Sequence, residues 1–265
     1  MINVAVCGVG RTGGEVIREL LKNERFRLSS AFCRPNSPKA GKDVGTLLHL
    51  PEAGIQATEI TRAEQVFNET DPNVFIDFSN PTSTKTLLSA CRKKKIPGVI
   101  CTTGFTPEEL AELSAFTEDN RLGVVFAPNV TLGVNVLIAA LKLVSHALPD
   151  FDYRITETHH SKKMDKPSGT AKIIARTLER ELDMPSDRHV PIHSLRAGGY
   201  VGIHEVLIAS DCERLSFTHE SFSRRAFVQG ALFAAEFIIG KTGWHSMEDV
   251  IDVRSLLTDH EQAVS

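Results

Sequence analysis

The chain has 265 residues, 42% hydrophobic and 24% charged, the balance of a soluble globular protein able to build its own core. A net charge of −3 gives no electrostatic footprint for nucleic acid, and no stretch reaches the roughly 18 apolar residues of a membrane helix. The N-terminus enters an apolar strand with no charged leader, so no signal peptide is expected.

In chain order, Ile2–Cys7 reads as a buried strand and Gly14–Lys22 as a helix. Arg27–Cys33 and Val74–Phe78 are further strands, and the second of these precedes a helix from Pro81 to Lys95. The basic run Arg92–Lys95 closes that helix, where cations suit the dipole. Gly98–Cys101 is a strand, a helix starts near Pro107, and Leu122–Ala127 is a strand. Strands alternating with helices predict an α/β fold with a doubly wound parallel sheet.

Beyond about Asn129 the pattern changes. A helix over Val134–Leu148 leads to a strand over Tyr153–Thr158, a polar segment from His159 to Gly169, and a helix over Thr170–Leu182. Pro191–Arg196, Gly202–Ala209 and Glu213–His219 read as strands of a meander. A long helix over Arg224–Ile239 and a short one after Ser246 complete a second α+β domain. The five cysteines, Cys7, Cys33, Cys91, Cys101 and Cys212, have no CxxC spacing and indicate a reducing, cytoplasmic location.

Gly8-Val9-Gly10-Arg11-Thr12-Gly13 follows a strand and opens a helix, the context in which GxGxxG holds a dinucleotide pyrophosphate. The plainer alternative is a tight turn without a ligand. The second strand ends at Cys33-Arg34 with no acid for a ribose 2′-hydroxyl. Arg34, helped by Lys39, suits a 2′-phosphate, which favours NADPH over NADH. Thr102–Phe105 and Ala127–Val130 lie at strand C-termini, where hydroxyls, an amide and backbone groups suit a nicotinamide carboxamide.

The densest chemistry lies in Glu157–Ala171, which packs two histidines, three lysines and Asp165 between a strand and a helix. Ser168-Gly169-Thr170 offers hydroxyls and amides for a carboxylate at a helix start, or merely caps that helix. His159 is a candidate general acid and Lys163 a point charge for a second carboxylate or a proton source. Adjacent histidines without a regularly spaced third ligand do not suit zinc, so no metal is expected.

The segment Glu157–Ala171 closely resembles the signature of the 4-hydroxy-tetrahydrodipicolinate reductase (dihydrodipicolinate reductase) family: an acid, His-His, Lys, Asp, then Pro-Ser-Gly-Thr-Ala. Similar residues recur at Val74–Phe78, Thr102–Phe105, Phe126–Val136, Arg196–Gly198, Val201-Gly202 with His204, Ser223-Arg224 and Gly230-Ala231. The resemblance implies NAD(P)H-dependent reduction of a cyclic imine bearing two carboxylates in lysine and diaminopimelate synthesis. It implies a Rossmann-like domain over residues 1–129 completed by 240–265. Residues 130–239 would form a mixed-sheet domain that binds substrate and builds a homotetramer. His159 would exchange the proton with Lys163 as its catalytic pair, and His160, Gly169 and Thr170 would touch substrate. Gly8, Gly10, Arg11, Thr12, Gly13, Arg34, Cys101, Thr102, Thr103, Ala127, Pro128, Asn129 and Val130 would touch the dinucleotide. The chain departs from the family at Arg154, where an acid is frequent, in a glycine loop one residue shorter with Thr12, and at Cys33 in place of the acidic ribose ligand.

Overall fold

The computed structural model describes residues 1–252. The part of the expected C-terminal completion that falls on 253–265 lies outside the described residues. The chain divides into two compact units, the first formed by Met1–Val130 with Phe227–Val250 and the second containing Thr131–Ala226.

The first unit begins β1 (Ile2–Cys7), α1 (Arg11–Leu20), β2 (Phe26–Cys33), α2 (Val44–Leu47), β3 (Ala57–Glu59), α3 (Ala63–Thr70) and β4 (Val74–Asp77). It continues α4 (Pro81–Cys91), β5 (Gly98–Ile100), α5 (Pro107–Asp119) and β6 (Gly123–Phe126). Val4, Val6, Phe75, Ile76, Val99, Ile100, Val124 and Val125 are fully buried. Such near-continuous apolar runs belong to strands covered on both faces, which is why they pair in parallel and not as alternating hairpins. Each buried Phe, Ile or Val side chain contributes about 2 kcal/mol of transfer free energy.

The helices between them start on local signals. Asn80 caps α4 by accepting from Ser83 N at 3.1 Å, with Pro81 in the first turn. Thr106 and Glu109 form a reciprocal capping box on α5. Helix α4 ends at Cys91, before the basic run, whose Lys93 and Lys94 reach Glu64 and Asp71. Helix α1 starts three residues earlier than its periodicity suggests, at Arg11; Gly13 and Gly14 are buried in it but carry no apolar side chain to register in the period.

In the second unit, α6 (Leu132–Ala147), β7 (Asp152–His159), α7 (Gly169–Glu181), β8 (Ile192–Arg196), β9 (Gly202–Ala209) and β10 (Arg214–Ser221) follow. The chain then returns to the first unit through α8 (Arg225–Ile238), β11 (Gly243–His245) and α9 (Met247–Ile251). The larger sheet has the order β11-β6-β5-β4-β1-β2-β3, every pairing parallel. The order reverses between β1 and β4, the place at whose C-terminal strand ends open α/β sheets bind ligands.

The smaller sheet has the order β10-β9-β7-β8. It is mixed, because β8 pairs parallel to β7 while β9 and β10 run antiparallel. The expected meander is therefore corrected: β8 does not join β9, since α7 carries the chain back over the sheet to the far side of β7. Strands β7 and β9 alternate buried and half-exposed residues, so one face is inward. Helices α6 and α7 supply Leu137, Leu141, Ile174 and Leu178 to a core with Tyr153, Ile155, Val206 and Ile208.

Candidate active site

Each unit contributes one set of candidate residues. In the first unit, Gly8 ends β1 in a left-handed conformation, φ +100°, and donates its N–H to Phe32 O at 2.8 Å. A Cβ on Gly8 would stand 2.3 Å from Phe78 O, and one on Gly13 would stand 1.8 Å from Gly8 O. These two glycines let the turn, α1 and β4 touch backbone to backbone. Gly10 differs, since a Cβ there would meet nothing within 4 Å. It is the N-cap of α1 and supplies no side-chain cap, and Arg11 and Thr12 begin the first turn. The uncapped helix start beside an open glycine fits the pyrophosphate of a dinucleotide.

Arg34 is exposed just past β2, while Lys39 from the same loop donates Nζ to Val9 O and lies across the glycine turn. Cys33 is buried, and burial raises its thiol above the ordinary value. Cys101 is likewise buried, with its thiol pushed well up by burial and by the charge of Asp77. Thr102 turns inward: its hydroxyl donates to Asp77 Oδ2 at 2.9 Å and accepts from Ser79 N at 2.9 Å. Asp77 is fully buried, which raises its pKa, while Ser79, Thr84 and Thr102 hydroxyls hold the carboxylate in place. That leaves exposed Thr103 to face solvent at this strand end. At the next strand end Ala127 and Val130 are buried, Pro128 is exposed and Asn129 is half-buried.

In the second unit, strand periodicity assembles the site. Glu157 and His159 are two apart on β7 and share its inward face. Register places Ser194 on β8 and His204 on β9 opposite Glu157, His219 on β10 opposite His204, and Arg196 on β8 opposite His159. Polar residues thus gather at the C-terminal end of β7, while its other end buries Tyr153 and Ile155. His159 Nδ1 donates to Glu157 Oε2. The second oxygen, Oε1, accepts from Arg196 Nη2 at 2.7 Å and from Ser168 N at 3.3 Å. Arg196 Nη2 also donates to Asp165 O at 2.6 Å, fastening the loop that carries Lys163.

Burial drives the Glu157 pKa up, but the hydrogen bonds from Arg196, Ser194 and His159 outweigh it and bring it to about 2. The carboxylate is therefore ionised. For His159, burial lowers the pKa, Glu157 raises it, and the charges of Lys163 and Arg196 lower it further; the net direction is down. Burial and the neighbouring His159 take His204 to about 3, so it is neutral. The His159 and His204 rings meet edge to face at 5.2 Å. Ser168 Oγ accepts from Ala171 N at 3.2 Å as the cap of α7, and its remaining proton suits His204 Nε2 at 3.1 Å.

Ser168 is thus turned inward, which leaves exposed Gly169 and half-buried Thr170 in the first turn of α7. Lys163 Nζ pairs with Asp165 Oδ1 at 2.8 Å. Half-buried His160 donates its N–H to Tyr200 O at 2.8 Å. Glu157, His159 and His204 offer ligand atoms within 4.8 Å of one another. Both Glu157 oxygens and His204 Nε2 already carry hydrogen bonds to His159, Arg196 and Ser168.

Sequence reasoning gave no role to Glu157, Arg196, His204 or Gly202. A Cβ on Gly202 would stand 2.9 Å from His159 Nε2, so the imidazole lies over bare backbone there. The i, i+2 spacing of Glu157 and His159 is the usable sequence signal, because β7 runs through His159. The cross-strand partners required the register.

Two family models match the chain: "Dihydrodipicolinate reductase, N-terminus" over residues 2–130 and "Dihydrodipicolinate reductase, C-terminus" over residues 133–251. A 4-hydroxy-tetrahydrodipicolinate reductase from Methanococcus aeolicus is 35% identical over 91% of this chain and 94% of its own length. One from Nitrosomonas eutropha is 36% identical over 96% and 99%. Among solved structures, a dipicolinate-bound dihydrodipicolinate reductase from Paenisporosarcina sp. TG-14 superposes with a TM-score of 0.77 at 24% identity, covering 93% of this chain and 97% of that one. An amine dehydrogenase from Mycobacterium smegmatis shares the fold with a TM-score of 0.65 at 14% identity, covering 91% and 93%.

Proposed function

The chain belongs to the dihydrodipicolinate reductase family, and from that premise we propose how its own residues carry out the reduction. The enzyme is an NAD(P)H-dependent oxidoreductase that reduces 4-hydroxy-tetrahydrodipicolinate to tetrahydrodipicolinate in lysine and diaminopimelate biosynthesis. A nicotinamide dinucleotide, when bound, supplies the hydride. Gly8, Gly10 and Gly13 with the first turn of α1 would hold its pyrophosphate, and Thr103 and the segment Ala127–Val130 would meet its nicotinamide end.

The observation that carries the proton half is the ionised Glu157 holding His159 at the end of β7, one short loop from Lys163 and the start of α7. Hydride addition to a conjugated cyclic imine leaves an electron-rich ring carbon that must be protonated. His159 delivers that proton, and general acid help of this kind is worth roughly a hundred- to ten-thousand-fold. Lys163 exchanges its contact with Asp165 for a substrate carboxylate, and the amides of Gly169 and Thr170, with His160 nearby, take the other. Orientation of the ring by two fixed carboxylates then contributes through proximity.

Further parts of the proposal concern cofactor, assembly and location. Cys33 in place of an acid, with Arg34 exposed beyond it and Lys39 across the glycine turn, supports a preference for NADPH. The face of the small sheet opposite α6 and α7 carries Ile203, Leu207 and the 54% exposed Leu195, a surface suited to a second copy within a homotetramer. Among the described residues no helix is long and apolar enough to cross a membrane. The four buried reduced thiols support a cytoplasmic setting.

The test is a coupled assay that generates the substrate from pyruvate and aspartate semialdehyde and follows nicotinamide absorbance with each dinucleotide. Turnover is expected with both, with kcat/KM about tenfold higher for NADPH, and Arg34→Ala is expected to bring the ratio toward one. No consumption of either dinucleotide would overturn the function. Equal values in the wild type would overturn the cofactor preference alone.

A further inference from the structure

We propose that Glu157 and Arg196 are positioning residues for proton transfer, a buried relay that dictates which nitrogen of His159 holds a proton and leaves the other over Gly202. The proposal rests on His159 being the proton donor. Every group facing His159 is identifiable: Glu157 on its own strand, Arg196 from β8, His204 from β9, with His219 beyond it on β10, and Lys163 from the following loop, paired to Asp165.

The carboxylate of Glu157 has no freedom among these partners. Arg196 Nη2 at 2.7 Å and Ser168 N at 3.3 Å occupy Oε1, Ser194 also bonds the carboxylate, and Oε2 is the oxygen that meets His159. An ionised carboxylate only accepts, so Nδ1 of His159 must carry a proton. Exchange with substrate is then confined to Nε2. In the transfer the Nε2–H bond breaks and a C–H bond forms at the substrate ring carbon. The imidazolium becomes a neutral ring that still donates Nδ1–H to Glu157. Gly202 leaves Nε2 room that any Cβ, 2.9 Å away, would take.

The relay also sets the pH range in which the donor is charged. Burial lowers the His159 pKa and Glu157 alone raises it against the charges of Lys163 and Arg196. Removing the Glu157 charge therefore lowers it further, and the protonated donor disappears at lower pH. Glutamine at 157 adds a second defect. Its single oxygen would face Arg196, its amide N–H would point at Nδ1, and the imidazolium would lose its acceptor.

The experiment measures kcat and KM of Glu157→Gln, Glu157→Asp and His159→Gln from about pH 5 to about pH 9, together with NMR titration of the His159 ring. Glu157→Gln is expected to lower kcat about thirtyfold at neutral pH, keep the substrate KM within about twofold, and move the alkaline limb and the His159 titration to lower pH. Glu157→Asp, with the charge withdrawn by one methylene, is expected to show smaller shifts of the same sign. An unmoved alkaline limb with an unmoved titration in Glu157→Gln overturns the relay, since loss of packing alone would lower kcat without shifting either. If Glu157→Gln does not fold, Glu157→Asp decides, and wild-type kcat and titration there overturn the proposal. If His159→Gln turns over like wild type, the reading of His159 as donor fails. If it is inactive while Glu157→Gln is normal, only the relay fails.

Discussion

Replacing His159 by glutamine is expected to lower kcat by about three orders of magnitude while the KM for the dinucleotide stays within about twofold of wild type. Glutamine approximates the reach of imidazole but cannot carry and release a proton near neutral pH. The stabilising contacts around it remain, because Glu157 keeps Arg196 and Ser168 as donors. The loss should therefore fall on the chemical step. In the wild type, burial holds the His159 pKa below the ordinary histidine value, so its protonated form is present at acid pH and is lost as pH rises through that lowered value. A declining alkaline limb of kcat is expected, beginning earlier than for a solvent-exposed histidine. Steady-state kinetics with the dinucleotide varied at saturating substrate would check both points. Turnover within tenfold of wild type, or a limb still present in His159→Gln, would remove His159 from proton transfer.

The β1, β2, β4, β5 and β6 strands were legible because they are buried on both faces, and α4 and α5 because they start on capping residues, patterns that need no knowledge of neighbours. Between Cys33 and Val74, β3 is three residues long and α2 four, too short for either period to register, while the eight residues of α3 bury only Ala63 and Phe67, a single i, i+4 pair. The small sheet was misread as a meander because adjacency in sequence suggests adjacency in space. Only the α7 crossover, with its burial of Ala171, Ile174 and Leu178, places β8 beyond β7. The same limit applies to the site. His159, Lys163 and the start of α7 lie within one dense segment and could be found by composition. Arg196 and His204 lie on β8 and β9 and reach that segment only through cross-strand register. Treating His159 as the first residue of a loop, when it is the last residue of β7, concealed its shared face with Glu157.

The glycine turn allows a second sharp expectation, because its glycines are present for different physical reasons. Gly13→Ala is expected to destabilise the protein by about 3 kcal/mol or more, roughly a 10 °C fall in Tm. The added Cβ would stand 1.8 Å from Gly8 O, a backbone atom with no rotamer to yield. Gly8 cannot retreat either: it is held by its N–H bond to Phe32 O, its φ of +100°, and the nearness of Phe78 O on the other side. Gly10→Ala should behave in the opposite way. Its backbone, φ −95° and ψ −159°, suits alanine, and nothing of the protein lies within 4 Å of the new Cβ. The Tm should change by no more than about 2 °C. The methyl group would, however, stand where a pyrophosphate must approach the start of α1, so the KM for the dinucleotide should rise at least about tenfold. Thermal melts and dinucleotide titrations of the two variants separate the roles. A Gly10→Ala enzyme with normal KM would mean that the phosphates do not sit on this turn, and a Gly13→Ala enzyme with normal Tm would mean that α1 is free to shift away from β1.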